Sequence, residues 1–384
     1  MENFIYDIPT KIYFGKNQLV NIREIIPKYG NKILLVYGGG SIKKNGIYNE
    51  VYRLLKGKVE IFELSGVESN PQISTVKKGV DICKIANVEL ILAVGGGSVI
   101  DCAKLVAAGC FYENDAWDLV LNPLLIKKAL PIITVLTIAA TGSEMDHIAV
   151  LSNKETKEKI GTRNPLLRPK ISILDPTYTF TVGKYQTAAG IVDIMSHAME
   201  SYFSNIEADF QNKLAEAIIK TCIKNGRIAI NNPNNYEARS NLMWASSWAI
   251  NDILKLGHNV QWSVHPIEHQ LSAVYDITHG VGLAIITPHW MEYVLDEDNL
   301  DIFYNFAVNV WNIEESNDKE KVARKGIMKL KDFFVEIGLE NNLSSLGITN
   351  KDFSDMAEKV EKQLKGSLKE LTKYEIIEIY ERCL

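Results

Sequence analysis

Short apolar runs, several rich in β-branched residues, punctuate the first half of the chain: KILLVY at 32–37, VEIFEL at 59–64, ELILAV at 89–94, PIITVLT at 131–137 and KISILD at 170–175. Stretches of helix length separate them. Runs of this size, apolar on both faces, predict parallel strands covered by helices, the βαβ arrangement of an open α/β layer. After Asp175 the strand pattern fades. From about Gly183 onward, apolar positions recur at spacings of three and four, as in 212–230 and 241–256, which predicts helices. Two domains are therefore expected, an α/β domain over 1–182 and an all-helical domain over 183–384, with the boundary near Val182 in TFTVGKYQ. The highly charged segment 314–331 reads as a solvated helix face.

Composition narrows the class of partner. A chain of 384 residues, 46% hydrophobic, can bury substantial cores. Its net charge of -5 and pI near 5.9, without a basic stripe, argue against nucleic acid or an anionic membrane surface and towards small molecules. Five scattered cysteines with no CxxC pair indicate neither a disulfide framework nor a thiolate metal site, which fits a reducing cytoplasm. The opening MENFIYDIPTKIYFG lacks a basic-then-apolar signal pattern, and the longest apolar run, 129–142, is broken by Pro131 and is too short to span a bilayer.

Two glycine runs carry chemistry. GGGS occurs at Gly38, Gly39, Gly40 and Ser41, and again at Gly95, Gly96, Gly97 and Ser98, each directly after a predicted strand. Such strand-to-helix turns let backbone amides approach a phosphate, and both would lie at the carboxyl edge of a parallel sheet, where open α/β folds bind ligands. The expectation is a Rossmann-like, dinucleotide-binding domain. Lys43 and Ile100 occupy the third position of the usual GxGxxG fingerprint, so that motif is absent. In GGGSVIDCAK, Ser98 reads as an N-cap with Asp101 at N3 of a capping-box-like start, a role compatible with a cofactor contact for Asp101.

The most specific signal is metal-like. The second half holds DIMSH at 193–197 and HPIEHQLSAVYDITHG at 265–280, so three of the seven histidines fall within fifteen residues. Asp193 and His197 are four apart in a helical pattern and share one face. With His265 and His279 they form an O,N,N,N set able to hold a divalent ion while leaving room for a substrate oxygen. His147, His258 and His289 lack such company and read as ordinary histidines.

With these motifs in place, the chain resembles the iron-dependent (group III) alcohol dehydrogenases, and in particular the clostridial-type NAD(P)H-dependent butanol dehydrogenases. The likeness runs through IPTKIYFG, LLVYGGGSIKKNGIY, ESNPQ, AVGGGSVIDCAK, LTIAATGSEMD, ISILDPTYTFT, DIMSH and HPIEHQLSAVYDITHGVGLAI. The resemblance implies an α/β domain and a helical domain of the dehydroquinate synthase-like architecture, with the active site in the cleft between them. It implies metal ligation by Asp193, His197, His265 and His279, the same four, and a proton-relaying role for His269. It also implies cofactor contacts from Gly38, Gly39, Gly40, Ser41, Asn70, Gly96, Gly97, Ser98, Asp101, Thr137, Thr141 and Lys159. Where relatives have Pro-Thr-Thr, this chain has Leu136, Thr137 and Ile138, so one threonine contact is lost.

The resemblance further implies iron, with zinc an alternative, small aliphatic aldehydes such as butanal as substrates, and a homodimer. No acidic residue follows the first glycine turn to repel a 2′-phosphate, while Ser41, Lys43 and Lys44 do follow it, which leans the expectation towards NADP over NAD. Two rival functions share parts of this reading. A dehydroquinate synthase-like lyase would bind NAD and metal but should carry a Glu,His,His set. A non-catalytic nucleotide-binding regulator would have little need of four intact ligands.

Overall fold

The computed structural model describes residues 2–205, 208–257 and 260–384, and the chain divides into two compact units. One comprises Asp7–Val182 with Asn234–Ser247; the other comprises Gly183–Pro233, Trp248–Leu384 and the N-terminal Met1–Tyr6, in each case over the described residues.

In the first unit the strands β1 (Lys11–Phe14), β2 (Lys32–Tyr37), β3 (Glu60–Leu64), β4 (Leu90–Gly95), β5 (Ile132–Leu136) and β8 (Ile171–Leu174) form one parallel sheet in the order β1-β8-β5-β4-β2-β3. All five predicted runs are strands. Ile33, Leu35, Leu90, Leu92, Ile133 and Val135 pack on one face with Val51 and Leu55 of helix α1 (Ile47–Leu55). Leu34, Val36, Ile91 and Ala93 pack on the other with Val76 and Val80 of α2 (Ile73–Ala86) and with Ile100 and Ala103 of α3 (Gly97–Gly109). Burial on both faces is why these strands read as continuous apolar runs.

Three features differ from the expectation. The edge strand β1, KIYF, was not predicted: it is only four residues long and only partly buried. The antiparallel hairpin β6 (Ile148–Asn153) and β7 (Glu158–Arg163) was not predicted, because β7, EKIGTR, is largely polar. The boundary at 182/183 also leaves out a return of the chain: Asn234–Ser247 belongs to the α/β unit, where Met243 joins the core, Trp244 meets Phe14 edge to face at 5.7 Å, and the Ser247 hydroxyl donates to Glu144 at 2.5 Å.

The second unit is helical. Helix α4 (Lys184–Tyr202) is buried from Thr187 to its end and packs against α5 (Asp209–Asn231) and α7 (His279–Val294), with α6 (Val264–Tyr275) against α7. Helices Leu300–Trp311, Lys319–Glu336, Phe353–Glu361 and Lys373–Arg382 complete it. Among the described residues no helix is long and apolar enough to cross a membrane.

Candidate metal centre and cofactor turns

Asp193 and His197 stand one helical turn apart on α4, His265 lies in the first turn of α6, and His279 opens α7. Three imidazole Nε2 atoms converge on one oxygen: Asp193 Oδ1 is 3.7 Å from His197, 3.9 Å from His265 and 3.6 Å from His279. These are too long for hydrogen bonds, and Asp193 Oδ1 and His265 Nε2 are buried without one. Metal bonds of about 2.0–2.2 Å in a tetrahedral shell place donors about 3.3–3.6 Å apart, so the spacing fits a small divalent cation among them.

Packing brings the fourth donor into place. A Cβ on Gly280 would lie 2.1 Å from the Ala189 carbonyl oxygen, so only glycine lets α7 come this close to α4. A Cβ on Gly282 would strike Glu268 at 2.6 Å. Glu268, fully buried, hydrogen-bonds His279 Nδ1 and accepts from the Ser272 hydroxyl at 2.5 Å. Glu200 on α4 accepts from His265 Nδ1 at 3.0 Å and from the backbone amides of Ser263 and His265 at 2.8 Å each. Trp262 lies against two of the histidines, its ring 4.5 Å from His265 and 5.5 Å from His197.

Electrostatics follow this geometry. Burial alone would raise the Asp193 carboxyl, but the neighbouring histidines outweigh it and hold the group well below the usual carboxylate range. Burial pushes His197 down to about 3. His265 resists burial because Asp193 and Glu200 flank it, and it is held up at about 9. The centre thus combines an ionised carboxylate with imidazoles of unequal proton affinity.

In the α/β unit the two glycine turns follow β2 and β4, adjacent strands from which the chain proceeds to opposite sides of the sheet. That is the topological switch point, where open α/β sheets bind ligands. A Cβ on Gly39 or Gly40 would meet nothing within 4 Å, leaving the first turn open, whereas in the second turn Gly97 is pressed against Thr141, whose Oγ1 would lie 2.2 Å from its Cβ. The backbone amide of Thr137 donates to Gly95 at 3.0 Å, and the Thr141 hydroxyl accepts from the Ser143 amide at 3.1 Å. Asn70 and Lys159 are buried.

The capping expectation is not met. Helix α3 begins at Gly97 with Gly96 as its N-cap, which moves Asp101 beyond N3, and the Ser98 hydroxyl instead donates to the Ser69 carbonyl at 2.5 Å. The Asp101 carboxylate accepts from the Ser143 hydroxyl at 2.5 Å and the Val150 amide at 3.0 Å. Burial raises it to about 6 despite nearby Lys104. An acidic side chain does come close to the first turn: strand pairing sets Glu63 opposite Leu35, and its carboxylate accepts from the hydroxyls of Tyr37, Tyr48 and Tyr52.

Residues 9–176 match the family model described as iron-containing alcohol dehydrogenase, and residues 187–384 match the C-terminal model of the Fe-containing alcohol dehydrogenase family. The chain belongs to the iron-containing alcohol dehydrogenase family. It is 52% identical to NADH-dependent butanol dehydrogenase A of Clostridium acetobutylicum, over all of both chains. It is 36% identical to the NADPH-dependent aldehyde reductase YqhD of Escherichia coli, over 94% of this chain and 93% of that one. The crystal structure of NADH-dependent butanol dehydrogenase A from Thermotoga maritima matches with a TM-score of 0.95 and 41% identity, covering 100% of this chain and 99% of that one.

Membership in the iron-containing alcohol dehydrogenases sets aside the lyase and regulatory alternatives. Within the helical unit the four expected ligands meet, and His269 stands beside them, its ring centroid 5.2 Å from that of His279. The sequence reading missed Glu200 and Glu268. Each follows a histidine by three residues, in HAME and HPIE, a repeated signal that pattern reading could have caught. His147 is spent on Arg168, 2.8 Å away, and His258 lies outside the described residues.

Proposed function

We propose that this iron-containing alcohol dehydrogenase interconverts small aliphatic aldehydes, butanal among them, with their alcohols, using NAD(P)H as hydride donor. The convergence of three imidazole Nε2 atoms within 3.6–3.9 Å of Asp193 Oδ1 carries the reading. Asp193, His197, His265 and His279 would hold the metal, a set that suits Fe(II) or Zn(II). When bound, the metal supplies Lewis-acid stabilisation of the substrate oxygen and the nicotinamide supplies or takes the hydride. His269, half-buried beside His279, would pass the proton to or from that oxygen. Trp262 covers His265 and His197 and keeps water off that side of the site.

In the α/β unit, Gly38, Gly39, Gly40 and Ser41 would receive the adenosine end of the cofactor. Gly96, Gly97, Ser98 and Asp101 would receive the pyrophosphate and nicotinamide end, with Asn70, Thr137, Thr141 and Lys159 alongside. The name of the 52% identical relative weighs towards NADH. Glu63, close to the first turn, points the same way: the hydrogen bonds it accepts from three tyrosines keep it ionised, a charge that disfavours the 2′-phosphate of NADPH. Comparing kcat/KM for the two decides between them. A reducing cytoplasm, suited to five unpaired cysteines, and a homodimer belong to the same reading.

The test is loss of NADH and NADPH absorbance with butanal after anaerobic loading with Fe(II), against chelated protein. Metal-dependent oxidation is expected. Absence of turnover with both nicotinamides across a series of aldehydes would overturn the proposal.

A further inference from the structure

We propose that Glu200 and Glu268 are positioning residues that aim two of the three histidines at the metal, each acting on a histidine of another helix. The inference rests on the metal-site reading above. Both side chains follow a histidine by three residues, yet neither serves that neighbour: Glu200, after His197, holds His265, and Glu268, after His265, holds His279. Each helix therefore orients the donor supplied by the next.

A carboxylate accepts hydrogen bonds, so an Nδ1 facing it carries the proton, and in the neutral imidazole that binds a metal Nε2 is then the lone-pair nitrogen. Both glutamates accept further hydrogen bonds that fix their carboxyl groups in place: from the Ser263 and His265 amides on Glu200, and from the Ser272 hydroxyl on Glu268. Both Nε2 atoms then face Asp193, at 3.9 Å from His265 and 3.6 Å from His279. Glu200 also supplies the N-terminal hydrogen bonds that Ser263, the N-cap of α6, does not provide through its own side chain. His197 differs, since its Nδ1 is buried without a hydrogen-bond partner. Two of the three imidazoles are thus polarised by a carboxylate behind them, an arrangement that fixes the ring and raises its basicity as a ligand.

The experiment measures Zn(II) affinity by competition with a chromophoric chelator for wild type, Glu268→Ala, Glu268→Gln and Glu200→Ala, alongside circular dichroism of the metal-free proteins. Wild type should bind one ion per chain. The alanine variants should bind about 10–100-fold more weakly while folded. Glu268→Gln, whose amide oxygen still accepts from His279, should recover part of the loss. If Glu268→Ala fails to fold, Glu268→Gln decides: affinity a few-fold below wild type supports the role, and wild-type affinity overturns it. Failure of the wild-type protein to bind zinc or iron would instead overturn the underlying metal-site reading.

Discussion

Two buried clusters, one in each unit, treat their polar groups in opposite ways. In the α/β unit the fully buried Lys104 ammonium is saturated, donating to the Ser143 hydroxyl at 2.8 Å, Asp146 at 2.6 Å and the Ile148 carbonyl at 2.6 Å, and both Asp101 oxygens are engaged. In the helical unit, Asp193 Oδ1, His197 Nδ1 and His265 Nε2 are buried with no hydrogen bond. A buried polar group left unsatisfied costs about 1–3 kcal/mol, and more when charged, so a cluster of them signals a partner from outside the chain. Convergent deprivation marks a site.

The largest effect that would break this contrast comes from the deprived cluster. Asp193→Ala should lower metal affinity by more than about 100-fold and turnover by at least about 10³-fold, while the apo protein keeps its helical content. Metal analysis with steady-state assays checks it, and a variant that binds iron normally would refute the assignment. In the saturated network the order reverses. Lys104→Met strands Asp146 and should cost about 3–5 kcal/mol of stability, read as a lowered denaturation midpoint, with metal stoichiometry of the folded protein unchanged.

The smallest effect depends on pH. Glu144 accepts from the Ser247 hydroxyl, but its other oxygen has no partner, and burial pushes its carboxyl up to about 7. Because the folded state holds this proton more tightly than the unfolded chain, its stabilisation is complete below the ordinary carboxyl value of about 4.5 and is lost as pH rises towards 7. Glu144→Gln cannot ionise. Its thermal midpoint should therefore gain on that of wild type between pH 5 and 8, and a difference independent of pH would remove Glu144 from the account.

Much of this was legible along the chain because the decisive signals are local. The four central strands β2, β4, β5 and β8 announce themselves through burial on both faces, and Asp193 with His197 through a spacing that one helix converts into proximity. What was hidden depends on partners distant in sequence. Strand β1, four residues at an edge, exists by pairing with β8, and the largely polar β7 by pairing with β6. Residues 234–247 look like any helical segment until Met243, Trp244 and Ser247 meet the α/β unit. Glu200 and Glu268 sit at a conspicuous interval from one histidine and act on another. Ser98 and Asp101 had the right letters for a capping box, but the helix starts too early for them to form it.

The contact between Gly280 and the Ala189 carbonyl reaches beyond packing. A main-chain atom forms the stop, so the interval between α7 and α4 cannot be retuned by a change of rotamer. Asp193 and His197 on one side and His279 on the other inherit their spacing from the meeting of two backbones, so an ion held among them would be fitted to a gap set by main chain. Cations such as calcium, which gather six to eight oxygens at about 2.3–2.6 Å, would need the helices to part.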